Sequence, residues 1–231
     1  IYDPKFTSHF EDPYKNLPKD IKFYHCLGNH DYRGSIESQI MYSNYSNRWV
    51  LPDNYYCFHG KVNNIECDFF AIDTNLYLQD DKKKQKEHES WLIEQIENSN
   101  KKWKIVFGHH PWKSTGSHGD STNKLDKFYK KITSELDIDI ILSGHDHDQQ
   151  HLYIPDKPHL FISGTGSKMR EYNIDERLKA HPRYLQFFTE QLGCLKIVPT
   201  EKYLEINMYA INNENEYNNI YSFKIIKKNI S

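Results

Sequence analysis

Ile138-Asp139-Ile140-Ile141-Leu142-Ser143-Gly144-His145-Asp146-His147 is an apolar run that stops at a glycine and then presents two histidines around a carboxylate. Its aliphatic residues predict a strand over 138–142 buried on both faces, with Gly144 letting the backbone turn just past its end. Strand ends of this kind are where open α/β sheets bind ligands. With Asp146 holding a neighbouring imidazole, His145 and His147 can each offer a ring nitrogen from one loop, which suits a pair of metal ions. A single His-x-His is ordinary in a loop, so further donors must come from elsewhere in the chain.

Working outward, the same pattern occurs twice more. Residues 21–27 are strand-like and run into Gly28-Asn29-His30-Asp31, and residues 103–107 run into Gly108-His109-His110-Pro111. Between these blocks lie a helix over 35–46 and two strands, 54–59 and 65–73, joined by a turn at Gly60. Two amphipathic helices follow. One over 83–98 carries Trp91, Leu92 and Ile96; the other, over 123–135, buries Leu125, Phe128, Tyr129 and Ile132. A short helix is expected around 5–10. Strand and helix alternating in this way imply an α/β (α+β) fold with helical crossovers. Beyond His147, strands at 159–163, 184–189, 194–198, 203–211 and 220–226 without long helices predict an antiparallel meander.

With 231 residues, 37% of them apolar, the chain can bury the core of one domain, 1–231. Its 30 Lys plus Arg against 32 Asp plus Glu give a net charge of −2, so no basic nucleic-acid footprint is present and no nucleic-acid partner is expected. The runs Lys82-Lys83-Lys84 and Lys101-Lys102-Trp103-Lys104 read as solvated ends of a helix. No segment approaches the roughly 18 apolar residues of a membrane span. Ile1 does not begin a signal peptide or a natural start, so the chain is expected to begin downstream of its native N-terminus. The four cysteines, 26, 57, 67 and 194, lack any metal-type spacing. Cys57 and Cys67 lie symmetrically about the Gly60 turn, which fits either a cross-strand disulfide in an oxidising compartment or two free thiols. Asn44-Tyr45-Ser46 and Asn229-Ile230-Ser231 match the glycosylation sequon.

The three post-strand loops together supply Asn29 with His30, His109 with His110, and His145 with His147 on one rim of one sheet. An amide oxygen and imidazoles suit a borderline divalent ion such as Zn²⁺, Mn²⁺ or Fe²⁺ better than Ca²⁺ or Mg²⁺, which prefer oxygen shells. Such an ion would lower the pKa of a bound water and so supply hydroxide as a nucleophile.

Gly28-Asn29-His30-Asp31, Gly108-His109-His110-Pro111 and Gly144-His145-Asp146-His147 resemble the G-N-H-[DE], G-H-x-P and G-H-x-H blocks of the calcineurin-like metallophosphoesterases. Ser38-Gln39-Ile40, Arg48-Trp49, Ser90-Trp91-Leu92 and residues 112–119 narrow the resemblance to mammalian-type (tartrate-resistant) purple acid phosphatases. It implies a sandwich of two mixed β-sheets flanked by helices, with a C-terminal antiparallel meander. It also implies a dinuclear centre of Fe(III) plus a divalent metal (Fe, Zn or Mn): Asn29, His109 and His145 would bind the divalent ion and His147 the iron. His30 and His118 would sit over a phosphomonoester substrate and handle the leaving group's proton. Asp31 and Asp146 would orient histidines, and His110 stands where the family commonly has Tyr.

The family's remaining ligands, two Asp and a Tyr, come from upstream blocks absent here. The resemblance therefore implies an N-terminal β-α-β portion, on the order of 30 residues or more, supplied by the same protein. The implied activity is an acid phosphatase in the secretory pathway, endolysosomal or extracellular. The alternatives are another metallophosphoesterase, acting on phosphodiesters or phosphoproteins, and a non-catalytic scaffold relative of the same fold.

Overall fold

The computed structural model describes residues 2–62, 64–169, 176 and 179–227. The chain enters through α1 (Pro4–Phe6), a π-turn over Thr7–Glu11 and α2 (Asp12–Tyr14), then β1 (Phe23–Tyr24), α3 (Ile36–Tyr42) and β2 (Trp49–Val50). The central portion comprises β3 (Tyr56–Val62), β4 (Ile65–Ala71), α4 (Lys82–Asn98), β5 (Trp103–Phe107), α5 (Asn123–Glu135) and β6 (Ile140–Ser143). Six strands follow: β7 (Gln149–Tyr153), β8 (His159–Ser163), β9 (Leu185–Thr189), β10 (Gly193–Pro199), β11 (Tyr203–Ile211) and β12 (Tyr217–Ile226).

Seven strands form one large mixed sheet in the order β3-β4-β5-β6-β8-β7-β9; β10-β11-β12 form an antiparallel sheet, and β1 pairs in parallel with β2 alone. Side chains alternate across the large sheet and divide its packing between two faces. On one face Phe70, Val106 and Ile141 meet Leu92 and Ile96 of α4 and Phe128 and Ile132 of α5. On the other, Cys67, Trp103, Ile140 and Phe161 pack against Leu204, Ile206 and Met208 of the antiparallel sheet. The fold is a sheet-on-sheet sandwich with helices outside the larger sheet. Trp103 is fully buried, and its indole N–H is satisfied by the Thr200 carbonyl at 2.9 Å.

Several elements differ from the sequence-based expectation. β6 starts at Ile140 rather than 138, because the Asp139 carboxylate accepts the Lys104 amide at 2.8 Å where a strand backbone would continue. The meander is confined to β10–β12, whereas β8 joins β6 in parallel and β7 lies between β8 and β9. β7 was missed because Gln149, Gln150 and His151 are polar yet fully buried. Their cost of burial is offset by hydrogen bonds such as Gln149 Nε2 to the Tyr209 carbonyl at 3.1 Å. Lys104 is buried in β5, not solvated, and reaches Asp137 at 3.5 Å.

The cysteines are free among the described residues. Cys67 stands opposite Gly60 and Cys57 opposite Phe70, three residues apart along the ladder. That spacing is roughly 10 Å and puts the two thiols on opposite sheet faces, out of disulfide reach. Asn44 is exposed after α3; the sequon at Asn229 lies outside the described residues. Among the described residues no helix is long and apolar enough to cross a membrane.

Candidate metal centre

The parallel register of β5 and β6 brings two of the donor loops side by side. Phe107 pairs with Leu142, and the ladder runs on past the strand ends: Gly108 donates its amide to the Leu142 carbonyl, and Gly144 donates to the His109 carbonyl, each at 3.1 Å. Tyr129 of α5 anchors the same loop by donating to the His110 carbonyl at 2.8 Å. The third loop, after β1, is held by Tyr56 OH on the His25 carbonyl at 2.8 Å and by Asn75 Nδ2 on the Leu27 carbonyl at 3.0 Å. Gly28 leaves room for the neighbouring ring: a Cβ there would lie 2.9 Å from His109 Nδ1.

His109 Nε2 is the meeting point of the three loops. It lies 2.9 Å from Asn29 Oδ1 and 3.0 Å from His145 Nδ1, although these residues are 80 and 36 positions away in sequence. One ring nitrogen each of His109, His110 and His145 lies within 4.8 Å of the others. Three imidazole nitrogens gathered within that span are a donor set that suits a single divalent ion. Burial foremost, with charge on His30, His118 and His147 adding to it, lowers the His109 pKa to about 4, so the ring is neutral and able to offer a lone pair.

The turn after β6 is made by His145 rather than by Gly144. His145 adopts φ +68°, and among the described non-glycine residues with positive φ the other three are Asn64, Asp156 and Asn215. A left-handed histidine stores strain on the order of 1 kcal/mol or more, and such strain accompanies functional sites. A Cβ on Gly144 would meet nothing within 4 Å, so the glycine is not sterically required there.

Behind the histidines, Asp146 is fully buried and gathers the 114–118 loop. It accepts the His118 amide at 2.9 Å, His118 Nδ1 at 2.8 Å and the Ser114 hydroxyl. The His118 ring consequently lies against His145, with centroids 4.0 Å apart and the planes tilted by 36°. Asp31 does not do the same for a histidine: its carboxylate accepts the Gly28 amide at 2.7 Å and closes the 28–31 turn.

His118, Asn29, His110 and His145 line one cavity of about 290 Å³, with Asp120 at its edge. His30 is exposed and lines a different, aromatic cavity of about 620 Å³ with Asp31, His25 and Trp49, so the two histidines expected over the substrate face separate spaces. His147 is half-buried beside Asp146. His110 is buried, its Nδ1 paired with Thr74 Oγ1 at 2.7 Å; that hydroxyl and its neighbours Asp73 and Asn75 were not anticipated, because a polar triplet after a strand carries no local signature.

Residues 2–149 match the calcineurin-like phosphoesterase family. Purple acid phosphatase 17 of Arabidopsis thaliana is 30% identical, over 91% of this chain and 66% of its own length. Tartrate-resistant acid phosphatase type 5 of Homo sapiens is 30% identical over 81% of this chain and 62% of its own. The chain thus spans about two thirds of the length of these relatives. Among solved structures, GAP50, the anchor in the inner membrane complex of Plasmodium, superposes with a TM-score of 0.80 at 21% identity, over 98% of this chain and 74% of that one. On the match across residues 2–149, with purple and tartrate-resistant acid phosphatases as relatives, the chain belongs to the calcineurin-like phosphoesterase family.

Proposed function

We propose that this chain is the larger part of a metal-dependent acid phosphatase that hydrolyses phosphomonoesters at a dinuclear centre. The observation that carries this is the convergence of Asn29 Oδ1 and His145 Nδ1 on His109 Nε2. Asn29, His109 and His145 hold the divalent ion, Fe, Zn or Mn, and His147 contributes to an adjoining Fe(III) site. When bound, the two ions supply a water-derived nucleophile and neutralise charge on the phosphoryl oxygens. His118 is the proton donor: its Nδ1 is engaged by Asp146, so the proton given to the departing alkoxide is the one on Nε2. Such assistance is worth about 10² to 10⁴ in rate. His30 is the second catalytic histidine of this reading because it adjoins the ligand Asn29 in sequence, although its side chain lines the other cavity.

A segment of the same protein preceding Ile1 supplies the two Asp and the Tyr that complete the iron site, in the missing β-α-β portion of a single domain. The two-residue β1, paired only with β2 among the described residues, supports this. The full-length protein, assayed side by side on a chromogenic phosphate monoester and diester, should turn over the monoester faster; faster diester turnover would transfer the assignment to a phosphodiesterase. The anchoring role of the Plasmodium protein suggests a second, non-catalytic reading. Retention of Asn29, His109, His145 and His147 opposes it, and full-length protein without bound metal would favour it.

Localisation in the secretory pathway, endolysosomal or extracellular, is proposed from the relatives and the exposed Asn44 sequon. Protein from its native cells should lose mass on endoglycosidase treatment, and Asn44→Gln should already run at the lower mass. Identical migration of treated and untreated protein would remove the glycoprotein assignment.

A further inference from the structure

Three consecutive polar residues, Asp73, Thr74 and Asn75, follow β4 and are 0%, 0% and 3% exposed. Buried polar groups cost free energy unless each finds a partner, so where these three send their hydrogen bonds is informative. Asp73 caps the short 3₁₀ turn Thr74–Tyr77, its Oδ1 accepting both the Asn75 amide and Asn75 Nδ2 at 3.1 Å. Its Oδ2 accepts the Tyr32 hydroxyl, and its own backbone amide donates to His88 Nε2 at 3.4 Å. Thr74 Oγ1 accepts the His110 amide at 3.2 Å and pairs with His110 Nδ1 at 2.7 Å. Asn75 Nδ2 donates its second hydrogen to the Leu27 carbonyl at 3.0 Å.

Every partner outside the turn borders a donor loop except His88 and Asn54, whose Nδ2 lies 3.5 Å from Asp73 Oδ2. Leu27 precedes Asn29 by two residues, Tyr32 follows it by three, and His110 is next to His109. The turn therefore clamps the 27–32 loop from both ends and ties it to the 109–110 loop. A Cβ on Gly108 would lie 3.1 Å from Thr74 Cγ2, so the clamp also sits tight against the base of that second loop. None of the three residues lines the cavity that Asn29, His110, His118 and His145 share.

We propose that Asp73-Thr74-Asn75 is the positioning element of the divalent-metal site, setting the Asn29–His109 separation that lets one ion reach both. Asn75 and Thr74 are its positioning residues, acting on the donors through the Leu27 carbonyl and through His110. This rests on reading Asn29, His109 and His145 as ligands of one ion. Hydrogen-bonded partners of this kind typically change metal affinity about 10- to 100-fold when removed.

The test is titration of the chelator-treated full-length protein with Co²⁺, recording dissociation constant and d–d absorption, on wild type, Asn75→Ala, Thr74→Val, Thr74→Ser and Ile206→Val. Asn75→Ala and Thr74→Val should bind Co²⁺ about 10- to 100-fold more weakly, with an altered absorption envelope. Thr74→Ser, which keeps the hydroxyl, should bind as wild type does. Ile206→Val, a core change remote from the site, should lower stability without moving the affinity or the spectrum. Wild-type affinity and spectrum in both Asn75→Ala and Thr74→Val would overturn the proposal while leaving the metal site intact. A wild-type protein that binds no Co²⁺ would instead remove the ligand assignment, and the positioning role with it. Because Thr74→Val is nearly isosteric, misfolding of Asn75→Ala alone would not shield the proposal.

Discussion

His109→Ala should abolish both divalent-metal binding and phosphomonoester hydrolysis in the full-length protein while leaving it folded. The imidazole removed is the atom set on which Asn29 and His145 converge, at 2.9 and 3.0 Å. Two donors held by separate loops cannot replace a third that sits between them. Loss of a single group that stabilises developing charge lowers kcat by about 10² to 10³, and loss of the ion itself should exceed that. The fold should survive because His109 lies at a strand end and not among the apolar residues packed between the sheets. His145→Ala should behave alike, and the left-handed backbone at that position would stay strained because Ala keeps the Cβ that disfavours it. His110→Ala serves as the contrast: it breaks the Thr74 contact and reshapes the cavity, so it should weaken binding without eliminating it. Metal content by elemental analysis and turnover of a chromogenic phosphate ester report the result. Undiminished hydrolysis in both His109→Ala and His145→Ala would sink the phosphatase assignment.

The second large effect is on acid stability. His88 and His151 are fully buried, and burial lowers the pKa of each to about 3; His159, bonded to His151 at 2.8 Å, falls to about 4 by the same cause. Below about pH 6.5 the unfolded chain binds protons on these rings and the folded chain does not. Stability is therefore fully present above pH 6.5 and declines as the pH falls toward the folded values near 3 to 4. Each ring contributes about 1.4 kcal/mol per pH unit, so at pH 5 the three together remove up to about 6 kcal/mol. That is comparable with the whole stability of a typical domain. Urea unfolding of the metal-free chain at pH 7.5, 6 and 5 should show the decline. His151→Gln should flatten it by about one proton, since Gln cannot titrate. A free energy of unfolding constant from pH 7.5 to 5 would contradict the buried-neutral assignment. An enzyme working in acid would then depend on bound metal, which stabilises the folded state by mass action, to offset this loss.

The elements that were legible in the sequence are those whose signals are local. The helices α4 and α5 follow from apolar residues at helical spacing, and β5 and β6 follow from short apolar runs broken by glycine, whereas residues 21–27 give only the two-residue β1, paired with β2 and not on the rim of the large sheet. The donor types were legible for the same reason. What local pattern could not convey is illustrated by β7, whose buried glutamines look like a loop, and by β8, whose partner is β6 rather than its sequence neighbours alone. The roles of the acidic residues were equally indeterminate. Asp146 and Asp31 each sit beside donor histidines in sequence, yet one holds His118 and the other a backbone amide.

From sequence alone came the family resemblance, the α/β class and the set of side chains able to hold a metal, because strand propensity, turn chemistry and ligand type are properties of a few adjacent residues. Tertiary structure alone decided that Asn29, His109 and His145 meet at one nitrogen and that His30 and His118 face separate cavities. It also decided that Cys57 and Cys67 lie on opposite faces and that Asp73-Thr74-Asn75 clamps two donor loops. Those relations join residues up to 80 positions apart, and their distances are set by sheet register and by the hydrogen bonds of buried polar groups, which no stretch of neighbouring residues specifies.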